Sequence, residues 1–295
     1  MQRREFVAMA PAAALAAASG QFVKGICGVI FPPAMPLEEQ FRQAKNAGFD
    51  GIEIRPGTEL GPDTALDQAA RIGDQARKAG VAIVSLWVSD VLSRTPLNHR
   101  DPAIRSQGVE TIHKSIEVAK ATGCGALLLV PGSLGSGAKF LYSYQDTWDR
   151  FTAELKKVVA HAAEARVYLT PENVSNKFLV SPLEMRSFVD GLNSPWFQSH
   201  FDIGNVMQFG YPQDWILTLG PRIKRIHVKD FKLRTRTEPA RPAELLEGDV
   251  DWQDVMGALK KIGYRGFMSP EMGHKPNDPE YLRKVSRALD TILAI

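Results

Sequence analysis

The chain has 295 residues, of which 44% are hydrophobic and 23% charged, a balance that suits one large soluble domain or two small ones. Its formal net charge of +3, without a stripe of Lys and Arg, argues against nucleic acid as a partner.

Residues 1–20, MQRREFVAMAPAAALAAASG, differ from the rest. Arg3 and Arg4 precede a weakly apolar, Ala-rich run, and Ala16–Ala18 offer a small-residue cleavage site. The run is too short and too weakly apolar for a transmembrane span. It resembles a twin-arginine export signal, the alternative being a frayed N-terminal helix. The expected mature chain is therefore residues 21–295, exported or periplasmic and without a membrane anchor.

Along the mature chain, short apolar runs predict strands near 25–30, 50–54, 81–87, 125–130, 167–172, 198–202, 223–228 and 266–271. Helical patterns separate them. Leu37, Phe41 and Ala44 share one face, as do Ile112, Ile116 and Ala119 with Val109 on the same side. A short motif recurs at the helix-to-strand junctions: KNAGFDG (45–51), RKAGVAI (77–83), KATGCGA (120–126) and KKIGYRG (260–266). Each gives a basic last helical turn, a Gly suited to positive φ at the helix end, and then a strand. Asp63, Asp101–Pro102 and Asp278–Pro279 read as helix starts. Strands alternating with helices mean a parallel sheet with crossover helices, and eight units predict a single-domain α/β fold, the (β/α)8 TIM barrel. A doubly wound open sheet is the alternative, weakened by the lack of G-x-G-x-x-G after the first strand.

Cys27 lies inside the first predicted strand and Cys124 at the start of the fourth. They belong at different levels of the fold, so two buried thiols are expected instead of a disulfide. Two segments read as loops on the strand-end face: the Gly-rich VPGSLGSGAK (130–139), which lacks a P-loop ending, and the polar residues 231–250. The second reads as a lid or a tolerated insertion.

Four consecutive strands end in ionisable groups: YLTPEN at Glu172, SHFDIGN at Asp202, RIKRIHVKD at His227 and GFMSPEM at Glu271. A parallel barrel brings all C-terminal strand ends to one face. Three carboxylates cannot crowd together ionised without a compensating cation. With one imidazole they form a hard, oxygen-rich ligand set suited to Mn²⁺ or Mg²⁺, with Co²⁺ or Zn²⁺ also admissible. Lys229, two residues beyond His227, shares its side and reads as a substrate contact or as an ion-pair partner of Asp230. Trp87 reads as a sugar-pocket wall or a core residue, and His99 as a pocket contact or part of a solvated loop. His200 reads as a core histidine one layer below Asp202, and His113 and His161 as structural. Arg225 is expected to point inward and pair with Glu53.

TPEN, FDIGN, IHVKD and SPEM resemble the metal-binding strand ends of the xylose-isomerase-like TIM barrels, and within them the sugar phosphate isomerase/epimerase group that includes ketose 3-epimerases. The resemblance covers nearly all of the chain after the signal. It implies that Glu172, Asp202, His227 and Glu271 hold one divalent metal, Mn²⁺ first, and that Glu172 and Glu271 are the catalytic acid and base. It also implies a small sugar or sugar derivative as substrate, and subunit association through the helices is common in such barrels. Many epimerases of non-phosphorylated ketoses carry His where this chain has Asn205. The D-x-G-N form is similar to the branch acting on pentulose 5-phosphates, with Asn205 as a substrate contact. An exported enzyme points the other way, because sugar phosphates are scarce outside the cytoplasm.

The expected reaction is removal of a proton next to a ketose carbonyl, as in a ketose 3-epimerase or an aldose–ketose isomerase. The same groups would serve a 3-keto-glycoside lyase or deglycosidase. A sugar-binding barrel without catalysis is the non-enzyme alternative. Abasic-site DNA cleavage by a multi-metal cluster is disfavoured, because the chain has only six His and none in its first four strands.

Overall fold

The computed structural model describes residues 22–295 apart from residue 58, so the expected export signal lies outside the described residues. Strands and helices alternate throughout: β1 Val23–Cys27, α1 Leu37–Asn46, β2 Gly51–Ile54, α2 Leu66–Ala79, β3 Ala82–Trp87, α3 Pro102–Thr122, β4 Ala126–Leu129, α4 Tyr144–Ala165, β5 Tyr168–Pro171, α5 Pro182–Gly191, β6 Ser199–Asp202, α6 Pro212–Leu219, β7 Ile223–Val228, α7 Trp252–Lys261, β8 Phe267–Pro270 and α8 Tyr281–Leu293. All eight predicted strands are present. They form one parallel sheet, whose ends are β5 and β6. The ring closes there through parallel bridges Leu169–Phe197 and Glu172–His200. Leu169 N–H donates to the Trp196 carbonyl at 2.8 Å, and Gln198 N–H to the Leu169 carbonyl at 3.0 Å. The sheet is therefore a closed (β/α)8 barrel.

The repeated junction motif does what its chemistry requires. Gly48, Gly80, Gly123 and Gly263 take φ of 90°, 76°, 81° and 67°. Chain reversal at these helix ends needs a left-handed residue, and glycine adopts it without steric cost. Of the three expected helix starts, only Asp101 caps as predicted, accepting from Ala103 N–H at 2.8 Å with Pro102 in the first turn. Asp63 instead pairs with Lys114 at 2.9 Å, and α2 begins after Ala65 without a side-chain cap. Asp278 accepts from Glu280 N–H at 3.1 Å just ahead of α8. The strongest cap is a capping box of Ser181 with Glu184 at α5.

Leu37, Phe41, Ala44, Ile112, Ile116 and Ala119 are all buried between helices and barrel, with Val109 packed against them. Cys27 and Cys124 are free and buried, as their strand positions imply, and burial pushes the Cys124 thiol up to about 12. His113 and His161 meet between α3 and α4 with their Nδ1 atoms 2.7 Å apart, on the outside of the barrel. Arg225 is buried but does not pair with Glu53. Its guanidinium donates to the Val84 carbonyl at 3.1 Å and the Lys224 carbonyl at 2.7 Å. Glu53 stands one layer higher, under His227. Among the described residues, no helix is long and apolar enough to cross a membrane.

Both polar loops are more ordered than their composition suggests. The Gly-rich segment folds as a small hairpin, Gly135–Ser136 with Lys139–Phe140. Residues 231–250 begin in a second hairpin, Asp230–Lys232 with Arg241–Ala243. Asp230 organises this loop from within the protein. It is 1% exposed and accepts from the backbone N–H groups of Phe231, Leu246, Gly248 and Val250 and from the Trp252 indole. Lys229 therefore has no ion pair with it. Asp230→Ala strands these donors, and a loss of about 3 kcal/mol is expected. Denaturant midpoints would register it, and amide exchange should accelerate across 231–250.

A candidate metal centre at the strand ends

Prolines set the two glutamates. Pro171 and Pro270 end β5 and β8, and the following Glu172 and Glu271 donate their backbone N–H to Leu129 and Val228 carbonyls at 2.9 and 3.2 Å. Each carboxyl is thereby fixed at the rim. Asp202 ends β6 and its Oδ1 accepts from Asn205 N–H at 2.7 Å, capping the short turn Ile203–Val206. That bond turns Oδ2 toward the barrel axis. Gly204 in this turn lies against Lys229, where a Cβ would meet the lysine's Cβ and carbonyl, so the Gly of D-x-G-N is a close-approach residue. Asn173 ties β5 to β6, donating to the Asp202 carbonyl at 2.8 Å and accepting from Asp202 N–H at 2.9 Å.

The four strand ends meet. His227 Nδ1 lies 3.1 Å from Glu172 Oε1, 2.9 Å from Glu271 Oε2 and 3.7 Å from Asp202 Oδ2. One ligand atom from each of the four residues falls within 4.8 Å of the others. Asp202 Oδ2 is buried and accepts no hydrogen bond. Lys229 Nζ approaches it to 2.9 Å outside hydrogen-bond geometry, a coulombic contact, and lies 2.7 Å from Glu271 Oε2. A buried carboxylate oxygen without a donor, beside two more carboxylates and an imidazole nitrogen, is what a hard divalent cation requires. The donor set fits such an ion.

The electrostatics separate the two glutamates. Burial raises Glu172 to about 7, against the partial relief given by His227. Burial also opposes ionisation of Glu271, but His227 and Lys229 outweigh it and hold that carboxyl at about 2. Burial works against charge on Lys229, yet Asp202 and Glu271 raise it above the ordinary lysine value. Burial likewise opposes charge on His227, while the carboxylates of Glu53, Glu271 and Glu172 raise it well above the usual imidazole range.

Of the other sequence-predicted contacts, Asn205 and Lys229 are in the cluster and Trp87 adjoins it. Asn205 Nδ2 lies 3.4 Å from Glu172 Oε1 and donates to the Asn173 carbonyl at 3.0 Å. The Trp87 ring centroid is 5.5 Å from that of His227. His99 is not brought into the cluster: its Nδ1 accepts from Asp101 N–H at 3.0 Å, and its ring meets Tyr142 edge-on. His200 is fully buried, 4.1 Å ring to ring from His227, and burial lowers its pKa well below the ordinary value. Sequence reasoning assigned no role in the centre to Glu53, Ser85 or Asn173. The signal for Glu53 was a lone carboxylate in the apolar strand GIEI.

The comparisons with known proteins agree with this fold. A family model described as "Xylose isomerase-like TIM barrel" matches residues 41–292. The L-ribulose-5-phosphate 3-epimerase UlaE of Salmonella typhimurium is 30% identical over 259 residues, 86% of this chain and 88% of its own. The protein of the same name from Escherichia coli is 29% identical over 282 residues, 94% of this chain and 95% of its own. Among solved structures, D-psicose 3-epimerase in the presence of D-fructose superposes with a TM-score of 0.77 at 15% identity, over 92% of this chain and 98% of that one, a likeness of fold. With the match extending over nearly the whole barrel, this chain belongs to the xylose isomerase-like TIM barrel family.

Proposed function

We propose that the chain is a divalent-metal-dependent ketose 3-epimerase, with Mn²⁺ as the first ion to test. The observation that carries this reading is the convergence of Glu172 and Glu271, from strands three steps apart around the ring, on His227 and Asp202. Relatives 29–30% identical over most of the chain are named as 3-epimerases, and the chain is an enzyme of the isomerase class.

Glu172, Asp202, His227 and Glu271 would hold the ion. Such an ion would supply positive charge to offset the negative charge that develops on a ketose's oxygens as the proton leaves. The rest falls to the protein's own groups. One glutamate takes the proton from the carbon next to the carbonyl, and the other returns a proton to the opposite face. Lys229 Nζ, 2.7 Å from Glu271 Oε2, keeps that carboxylate ionised and ready to accept. Asn205 faces the Glu172 side and offers an amide to a substrate oxygen. Trp87 supplies an apolar wall against the His227 ring.

For substrate, the Asn205 form of the β6 turn and the named activity of the relatives favour a pentulose 5-phosphate. The test is solvent deuterium incorporation by the Mn²⁺-loaded protein into L-ribulose 5-phosphate, free ketoses and 3-keto-glycosides. Exchange at C3 of a ketose or ketose phosphate, with formation of the epimer, is expected. Exchange confined to a 3-keto-glycoside, with release of its anomeric substituent, would move the assignment to a lyase. Stoichiometric metal with no exchange anywhere would point to a sugar-binding barrel.

Export is a separate proposal, carried by Arg3, Arg4 and the Ala-rich run that follows. Replacing both arginines by Lys should retain the chain in the cytoplasm of a cell that otherwise exports it. Cell fractionation decides this, and an unchanged distribution would refute it.

A further inference from the structure

Resting on the metal-centre reading, we infer that Glu53 is the positioning residue of His227: it receives the Nε2 proton and so presents the Nδ1 lone pair to the cation. Glu53 is 0% exposed, inside the barrel on β2. Its Oε2 is the meeting point of three groups. Ser85 donates its hydroxyl, the Trp87 indole N–H donates at 3.2 Å, and His227 Nε2 lies 3.2 Å away. Ser85 and Trp87 together fix the carboxylate on the ring edge opposite the metal ligands.

The geometry distinguishes Glu53 from a fifth ligand. Cys27, Glu53 and His227 do form a second group of metal-ligating atoms within 4.8 Å of one another, on the Nε2 side of the ring. A cation there would find one carboxylate and a thiol: Glu53 Oε2 already accepts from two donors, and only its Oε1 is buried without a hydrogen bond. The Cys27 thiol is directed at the Ser269 carbonyl, at 3.9 Å. On the Nδ1 side three carboxylates converge, and Asp202 Oδ2 likewise accepts no hydrogen bond. The side with three carboxylates is therefore the one suited to a hard cation, and the side where Ser85 and Trp87 hold Glu53 is the anchoring side. A histidine ligand whose second nitrogen is bound to a carboxylate is held in one tautomer and one orientation, and losing such a partner typically weakens metal affinity by 10–100-fold.

The test compares full-length mature protein with Glu53→Gln. Gln keeps the size and an acceptor oxygen but removes the charge. Mn²⁺ affinity is measured by calorimetry, and the His227 imidazole nitrogens are followed by ¹⁵N NMR in the Zn²⁺-loaded and metal-free proteins. The expected result is a Mn²⁺ affinity about 10- to 100-fold weaker in Glu53→Gln. In the wild type, Nε2 carries the proton and Nδ1 the metal. Unchanged affinity in a folded Glu53→Gln, or metal on Nε2, would overturn the inference. If Glu53→Gln does not fold, the wild-type nitrogen assignments decide the matter alone. Failure of the metal-centre reading looks different: the wild type would bind no Mn²⁺. In that case, an Nε2 signal of the metal-free protein that moves in Glu53→Gln supports the anchoring role of Glu53, and one that stays in place overturns it.

Discussion

Glu172→Gln and Glu271→Gln should each lower kcat by about 100- to 10,000-fold, the range expected when one general acid or base is lost. Rate alone cannot identify the role, because both residues also belong to the proposed ligand set. The two-face arrangement makes a sharper prediction. If one glutamate serves each face, Glu172→Gln should stop deuterium uptake from one epimer and largely spare the other. Glu271→Gln should show the opposite preference. A metal-site defect would instead suppress exchange from both epimers equally, and Asp202→Asn, which leaves both glutamates in place, supplies that control. The experiment is a pair of wash-in measurements on each epimer, with metal content measured on the same samples. Suppression from both epimers in one single variant, with exchange spared in the other at full metal loading, would mean that one group does both transfers. The double variant should not simply multiply the two losses, since residues that act as a unit are not additive.

The sequence made the ring legible and left its interior largely closed. Each junction motif encodes a local event, a helix stopped by a left-handed Gly, and all four glycines adopt it. The strand ends were legible because parallel strands share a polarity: four polar termini in succession have to lie on one face, and they converge on His227 Nδ1. Cross-barrel partners are another matter. Period-two alternation puts Arg225 and Glu53 on the inside but does not fix their heights. Closure of the ring offsets neighbouring strands, and β2 also shifts register against β3 between Ile52 and Glu53. Glu53 therefore meets His227, 174 residues away in sequence, while Arg225 turns to backbone carbonyls. Asp230 was misread for a related reason. Its donors are backbone groups of a loop that folds back over it, and composition alone cannot show which carboxylate such a loop will wrap. His99 lies in a loop whose hydrogen bonds go to the start of α3, where Asp101 caps.

Metal affinity should tighten as pH rises toward about 7, where Glu172 loses its proton, and go on tightening above it while His227 loses its own. Burial raises the Glu172 carboxyl to about 7 in the metal-free protein, from an ordinary value of 4.5. A carboxyl must lose its proton to become a ligand, so binding below that pKa releases it. One proton displaced gives a tenfold change in apparent Kd per pH unit, and His227, itself raised, can add a second. The sign follows from linkage. An acid whose folded pKa is raised stabilises the folded state fully below 4.5, and loses that contribution as pH climbs to about 7. The metal-free chain is thus weakest in Glu172's contribution where the metal binds best. At pH 8, Mn²⁺ at 100 times its Kd should stabilise the fold by about 2.7 kcal/mol, raising Tm by roughly 5 °C, and a chelator should reverse both the shift and the activity. Calorimetry at pH 6 in two buffers of different ionisation enthalpy counts the released protons directly. A count of zero with a pH-independent Kd would mean that Glu172 is already ionised or stands outside the ligand set. A count that falls by one in Glu172→Gln would tie that proton to the carboxyl and the carboxyl to the ion.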